Sequence, residues 1–468
     1  MSEDLCYLTA AELADAYRAG RLSPVEATQA LLKRIEAVNP IVNAYNLVDP
    51  EAALRDARAS EARWKAGKPL SPIDGVAASI KDIILTKGWP TLRGSKTVDP
   101  NQSWDEDAPV TARLREAGCV IIGKTTSPEM GWKGVTDSPL TGITRNPWNI
   151  STTPGGSSGG ASAQVAAGLG PLAVGTDGGG SIRIPAGFTG ITGLKPSFGR
   201  VPAAPLSPFG TVAHLGPMTR TVRDAALMLR EMAKPDVRDW FSLPYQDIDY
   251  TANLSDGVKG LKIAYSPTLG YAKVDPEIFA AVDAAAKQFA ALGAIVEQVD
   301  PGFADPVEIF HIHWFLGAYN ATLTLPKEKF ALLDPGLAKT VEAGASYTTK
   351  DYLLAQTERS KLGVVMRRFH QTYDLLLTPS LAVLPFTAGR LAPEAMGDAY
   401  WTAWTPFTYP FNLTQQPAIS VSCGFSQSGL PIGLQLVGPM HREDLVLRAA
   451  AAYEATVDWH KHRPKLPA

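Results

Sequence analysis

The chain has 468 residues, long enough for one large α/β body or two domains. Its 44 lysines and arginines balance 46 acidic residues, which excludes a basic footprint for nucleic acid or an anionic membrane and points to a small, roughly neutral ligand. Cys6, Cys119 and Cys423 are odd in number and lack Cys-x-x-Cys spacing, so neither a disulfide framework nor a thiolate metal site is indicated.

The N-terminal stretch MSEDLCYLTAAELADAYRAG carries acids where a secretory signal needs a basic region before an apolar one. Thr9 with Glu12, and Ser23-Pro24 with Glu26, are capping boxes ahead of residues at helical spacing, so the chain is predicted to open with two helices. EAALRDARASEARWKAG predicts a third helix. GVAASIKDIIL, 75–85, is rich in small and β-branched residues and reads as a strand that contains Lys81. DAPVTARLREAG is amphipathic, and CVIIGKT is a short apolar run of the kind buried on both faces. This alternation predicts a largely parallel sheet.

From about 230 to 400 the pattern is that of ordinary helices, with a strand-like LKIAYS and the aromatics Phe310, Trp314, Phe315 and Tyr319. TYDLLLTPSLAVLPF is interrupted by Pro379 and Pro385, well short of the roughly 20 residues of a spanning helix, so a soluble, cytoplasmic protein is expected. NLTQQPAISVSCGFSQSGLPIGLQLVG predicts two strands joined at Ser428-Gly429, and HREDLVLRAAAAYEA predicts a closing helix.

Chemistry concentrates between 154 and 200. Gly-Gly-Ser-Ser-Gly-Gly at 155–160 has the composition of a flexible linker, but ASAQVAAGLG and PLAVGT follow at once as helix and strand. The run lacks the lysine of a Walker loop, and no G-x-G-x-x-G opens a helix. In Thr-Asp-Gly-Gly-Gly-Ser, 176–181, three glycines leave N–H groups uncovered, so Gly178, Gly179 and Gly180 can serve an oxyanion hole beside a nucleophilic Ser181. A serine needs an adjacent base. The seven histidines lie outside this region, and a lysine must be considered instead.

GGSSGG, VGTDGGGSIRIPA and GLKPSFGR together closely resemble the amidase signature family of serine hydrolases. SIKDII, GKTTSPE at 123–129, RNPWN at 145–149, QPAISV and GLPIGLQLVG extend the resemblance over most of the chain. It implies a large twisted mixed sheet flanked by helices on both faces, in a single domain spanning 1–468, with 230–400 a variable insertion that contributes to the substrate pocket. It also implies a triad of Ser181 as nucleophile, Ser157 in a cis peptide as proton relay, and Lys81 as base. The implied reaction is hydrolysis of a small amide through an acyl-enzyme, without cofactor or metal.

By the same resemblance Asp177 and Arg183 form a pair that holds the loop, and Ser158 is a hydrogen-bond partner of the triad. Met130, Trp132, Tyr319 and Trp401 are the candidate pocket residues; core packing is an equally good reading of the aromatics. Two rival functions remain. One is the glutamine-hydrolysing A subunit of a tRNA-dependent amidotransferase, whose Ala-Glu-Ala-Ser-Ser-Asn stretch ahead of Tyr-Asp-Gly is replaced here by FLGAYNATLTL. The other is a non-catalytic binding protein, disfavoured by intact Lys81, Ser157 and Ser181. The aromatic richness favours an amide with an apolar or aryl group, a carbamate is an alternative substrate, and a monomer or homodimer is expected.

Overall fold

In the computed structural model, which describes residues 5–466, the two capping boxes sit where the chain first becomes regular. Thr9 and Ser23 accept hydrogen bonds from the N–H groups of Glu12 and Glu26, and both glutamates reach back, ahead of helices Ala10–Arg18 and Pro24–Val42. Two orphan donors at each helix start are thereby satisfied. The acidic residues Glu3 and Asp4 lie outside the described residues.

The strands, in chain order, are β1 (Tyr45–Val48), β2 (Ala77–Lys81), β3 (Val120–Thr125), β4 (Asp137–Ser138), β5 (Gly142–Ile143), β6 (Leu172–Asp177) and β7 (Thr192–Lys195). They continue with β8 (His214–Thr219), β9 (Lys262–Tyr265), β10 (Ile295–Gln298), β11 (Leu375–Pro379), β12 (Ala418–Phe425) and β13 (Pro431–Val437). Eleven of them form one sheet in the order β1-β3-β2-β6-β8-β7-β12-β13-β11-β9-β10, while β4 and β5 pair separately.

The sheet is mixed, as the family resemblance implies, and not largely parallel as the alternation of strands and helices alone predicts. Only β2 with β3, β2 with β6, β9 with β10, and β9 with β11 run parallel. The centre is antiparallel: β8 inserts between β6 and β7, and β12 turns back on β13 through a connection too short for a crossover. The sequence pattern hides β7 and β8, because glycine and proline occupy strand positions in them: Gly193, Gly216 and Pro217.

Side-chain alternation gives the sheet two covered faces. Ala78, Ile80, Leu172, Val174, Leu434 and Leu436 enter one core with the helices Val222–Met232, Pro276–Ala291 and Glu443–Glu454. On the other face Ala77, Val120 and Ile122 meet the helices Pro24–Val42 and Pro50–Lys65, and Ala173 and Met218 meet Val165 of the helix Gly159–Ala166. Residues 230–400 supply β9, β10 and β11 as well as the helices Val307–Thr322, Pro335–Ser346 and Thr349–Phe369. Among the described residues no helix is long and apolar enough to cross a membrane.

Gly216 stands opposite Gly175 where β8 supports β6, and a Cβ there would run into the Leu194 carbonyl oxygen. Backbone cannot yield as a side chain can, so Gly216→Ala is expected to lower stability by about 2 kcal/mol or more, read from the midpoint of chemical denaturation.

Candidate active site

β2 and β6 run parallel with Ile80 opposite Val174, so Lys81 and the pair Thr176-Asp177 leave the sheet at the same edge. Carboxyl ends of parallel strands are where open α/β sheets present ligands. Alternation along β2 sends Lys81 to the face opposite Ile80, where the segment before the helix Gly159–Ala166 passes. The Gly156–Ser157 peptide bond in that segment is cis. Lys81 Nζ there lies 2.6 Å from Ser157 Oγ, 3.0 Å from Ser158 Oγ and 2.8 Å from Thr176 Oγ1. The lysine is fully buried.

Burial pushes the Lys81 pKa well below the ordinary lysine value, against the opposing field of Asp177. Burial alone does not single this lysine out, because Lys124 and Lys195 are also buried with lowered pKa values. Their neighbours differ. Lys195 Nζ faces the carbonyl oxygens of Pro196 and Gln416, and Lys124 Nζ faces the Ile84 carbonyl and the Thr91 hydroxyl, both at 2.7 Å, and Asp82 Oδ1 at 3.6 Å; the Thr91 hydroxyl spends its proton on the Ile84 carbonyl at 3.3 Å and toward Lys124 it accepts. Carbonyls and carboxylates only accept, so those lysines must use their N–H groups as donors. Lys81 faces hydroxyls alone, and a hydroxyl can donate. The Ser158 hydroxyl donates to the Thr176 carbonyl at 3.1 Å, so toward Lys81 it accepts. A neutral amine that donates to Ser158 and Thr176 keeps its lone pair for Ser157.

Asp177 and Arg183 form a fully buried pair with two contacts: Arg183 Nε to Oδ2 at 3.0 Å and an Nη to Oδ1 at 2.9 Å. Burial works to raise the Asp177 pKa; the Arg183 charge and hydrogen bonds, then Lys195 and Asn412, overcome it and hold the carboxyl below the usual range. Arg183 also donates to the Thr408 carbonyl, Gln435 Oε1 and Asn412 Oδ1, tying the glycine turn to β13 and to the segment 408–412. Sequence reasoning misses Thr176, Asn412 and Gln435. Gln435 carries a signal, as a polar residue within the apolar run of a buried strand.

The Gly180 N–H already donates to Asp177 Oδ1 at 2.8 Å. No side-chain or loop hydrogen bond among the described residues engages the N–H groups of Gly178, Gly179 or Ser181. All three glycines are demanded by space: a Cβ on Gly178 would stand 2.8 Å from the Trp314 ring. A Cβ on Gly179 would stand 2.6 Å from the Phe310 ring, and one on Gly180, whose φ is +127°, would meet Thr408 Oγ1 at 2.5 Å.

Ser157, Thr176, Gly178 and Ser181 share the wall of a cavity of about 380 Å³. The Ser157 and Ser181 hydroxyls make no hydrogen bond to each other in this structure. Met130 lines the cavity, as do Phe209, Trp314, His214 and Arg93. Trp132, Trp401 and Tyr319 do not, which corrects the pocket assignment. Trp132 and Trp401 are buried in the aromatic core beneath the glycine turn with Phe310 and Trp404. Tyr319 is 37% exposed: on the helix Val307–Thr322 it precedes Asn320 by about 100°, and it is Trp314, Asn320 and Ala321 that face the cavity. His214, remote in sequence, comes to β6 through the β8 pairing, and its Nδ1 lies 2.8 Å from the Val212 carbonyl.

An α/β sheet whose strand ends hold a buried lysine, a serine in a cis peptide and a second serine after three glycines defines a class of serine hydrolase. The profile of the Amidase family matches residues 26–447, and the chain belongs to that family. It is 39% identical to an acylamidase of Rhodococcus erythropolis over 99% of this chain and 98% of that protein. It is 37% identical to the A component of the glutamyl-tRNA(Gln) amidotransferase of Myxococcus xanthus, covering 98% of this chain and 99% of the relative. A solved bacterial aryl acylamidase of the amidase signature enzymes superposes with a TM-score of 0.92 at 31% identity, over 99% of both chains. The protein is an amidase, a hydrolase of carbon–nitrogen amide bonds.

Replacing Arg183 leaves Asp177 as an uncompensated buried charge. Arg183→Met is expected to cost roughly 3–5 kcal/mol in chemical denaturation. Arg183→Lys should not restore it, since one ammonium cannot reach the five acceptor atoms that the guanidinium serves.

Proposed function

We propose that Ser181 is the nucleophile, Ser157 the relay and Lys81 the base of an acyl-enzyme mechanism acting on N-acyl aryl amides. The observation that carries this is the neutral-favouring burial of Lys81 among hydroxyls, 2.6 Å from Ser157 Oγ. As Ser181 Oγ attacks the carbonyl carbon, its proton passes to Ser157 Oγ and the Ser157 proton passes to the Lys81 lone pair. The Ser157–Ser181 hydrogen bond closes with substrate in place. The developing oxyanion is received by the open N–H groups of Gly178, Gly179 and Ser181, each worth roughly 3 kcal/mol when well aimed.

Collapse of the tetrahedral intermediate requires a proton on the leaving nitrogen, which Ser157 supplies as Lys81 restores its own. Water then enters by the same relay and releases the acid and Ser181. Asp177, paired with Arg183, orients the glycine turn and takes no proton.

An aryl amide is favoured by the apolar cavity, where the Phe209 and Trp314 rings stack at 4.1 Å, and by the names acylamidase and aryl acylamidase borne by relatives. We take 1–468 as one domain in which 230–400 shapes the cavity; support comes from Trp314 and Asn320. A cytoplasmic monomer or homodimer needing no partner fits this reading. The amidotransferase relatives favour a second reading, glutamine hydrolysis within a complex. Glutaminase activity that appears only with added partner proteins would establish it over the first.

A fluorophosphonate is expected to label Ser181, seen as a single mass adduct on that peptide; an unlabelled serine would favour a binding protein. Ser181→Ala and Lys81→Ala should each lower anilide turnover by about 1,000-fold or more, and near-normal turnover in Lys81→Ala excludes the base role. Because an ammonium cannot accept a proton, kcat/KM should rise with pH and level off at a midpoint below the ordinary lysine value.

A further inference from the structure

The cavity wall carries a cation that the protein itself leaves unpaired. Arg93 has φ +57°; its N–H donates to the Asp82 carbonyl at 2.9 Å, and its own carbonyl accepts from the Met130 N–H at 2.7 Å. Met130 and Gly131 line the same cavity, and a Cβ on Gly131 would stand 3.3 Å from Ser157 Oγ. Arg93 is therefore anchored one residue away from the wall that touches the relay serine. The residue is exposed and lines the cavity, and its guanidinium makes no hydrogen bond and no ion pair among the described residues.

No anion on the wall answers it. The one carboxylate there, Asp239, is occupied by the N–H groups of Ala203 and Phe241, both at 2.9 Å. His214 stays neutral, its pKa lowered by burial and by Lys195. Asp82, the carboxylate whose field reaches Arg93, is held by Lys124 at 3.6 Å and by Asn46 at 2.9 Å. The rest of the wall is uncharged: Ile83, Leu85, Met130 and Phe209 are apolar, and Ser197, Ser207 and Asn320 are neutral polar groups. A planar fork of donors in such a place matches a carboxylate.

We propose that Arg93 is a specificity-determining residue that receives a carboxylate on the substrate, away from the scissile bond. The preferred substrates are then acidic amides, such as the mono-anilide of a dicarboxylic acid, in place of the neutral ligand that the overall charge balance points to. This inference rests on Ser181 being the nucleophile.

The test uses two fluorophosphonates of equal length, one ending in a carboxylate and one in a methyl group, and reads their rates of Ser181 labelling. The carboxylate probe is expected to react about tenfold faster, one charge-assisted hydrogen bond's worth, with the advantage shrinking at high ionic strength. Arg93→Gln should abolish the preference and Arg93→Lys should keep part of it. Equal rates in the wild type, or a preference that survives Arg93→Gln, would overturn the assignment while leaving the mechanism intact. Labelling by neither probe would overturn both.

Discussion

The amine of Lys81 is fully buried and has three hydroxyl oxygens within 3.0 Å. Keeping an ammonium there costs several kcal/mol of desolvation, which the dipoles of three hydroxyls do not return. A neutral amine fits, with two N–H groups and one lone pair for three partners. Much of the neighbourhood follows from that requirement. Ser158 must turn its own proton away, and it does so onto the Thr176 carbonyl. The two strands must end together, and the parallel register of β2 with β6 makes them do so.

Asp177 threatens this arrangement, since its field favours the protonated lysine. Arg183 counters it by pairing with the carboxylate through two hydrogen bonds, so the negative charge nearest the site is neutralised at its source. The same guanidinium fastens Thr408, Asn412 and Gln435, which arrive from the far end of the chain. Beyond it, the rings of Phe310, Trp314 and Trp401 press on Gly178 and Gly179, and Thr408 and Ile184 press on Gly180, which leaves no room for side chains there. Electrostatic protection of the Lys81 amine and shaping of the turn thus share one set of contacts.

The glycine run, the paired serines and the strand lysine are legible in sequence because their chemistry depends on residue type within short segments. Capping boxes and apolar runs likewise mark the first helices, β3 and the β12–β13 hairpin. Sheet direction is not legible: β8 pairs with β6 across 37 residues from Asp177 to His214, and nothing local in either segment announces the partner. The pocket is legible only in part. Trp132, Trp401 and Tyr319 have the composition of a binding wall, yet helix phase and the direction in which each side chain leaves the backbone decide which aromatic faces a cavity. Met130 and Trp314 face it; Trp132, Trp401 and Tyr319 do not.

The charge state of one nitrogen at neutral pH is the central claim, and it is directly measurable. Lysines labelled with ¹³C at Cε can be followed by NMR as pH is varied, the Lys81 signal being assigned by its disappearance in Lys81→Arg. The account predicts a resonance that titrates well below those of the exposed lysines and is that of a neutral amine where they are still charged. A Lys81 signal that titrates with the exposed lysines, near the ordinary value of about 10.4, would contradict it.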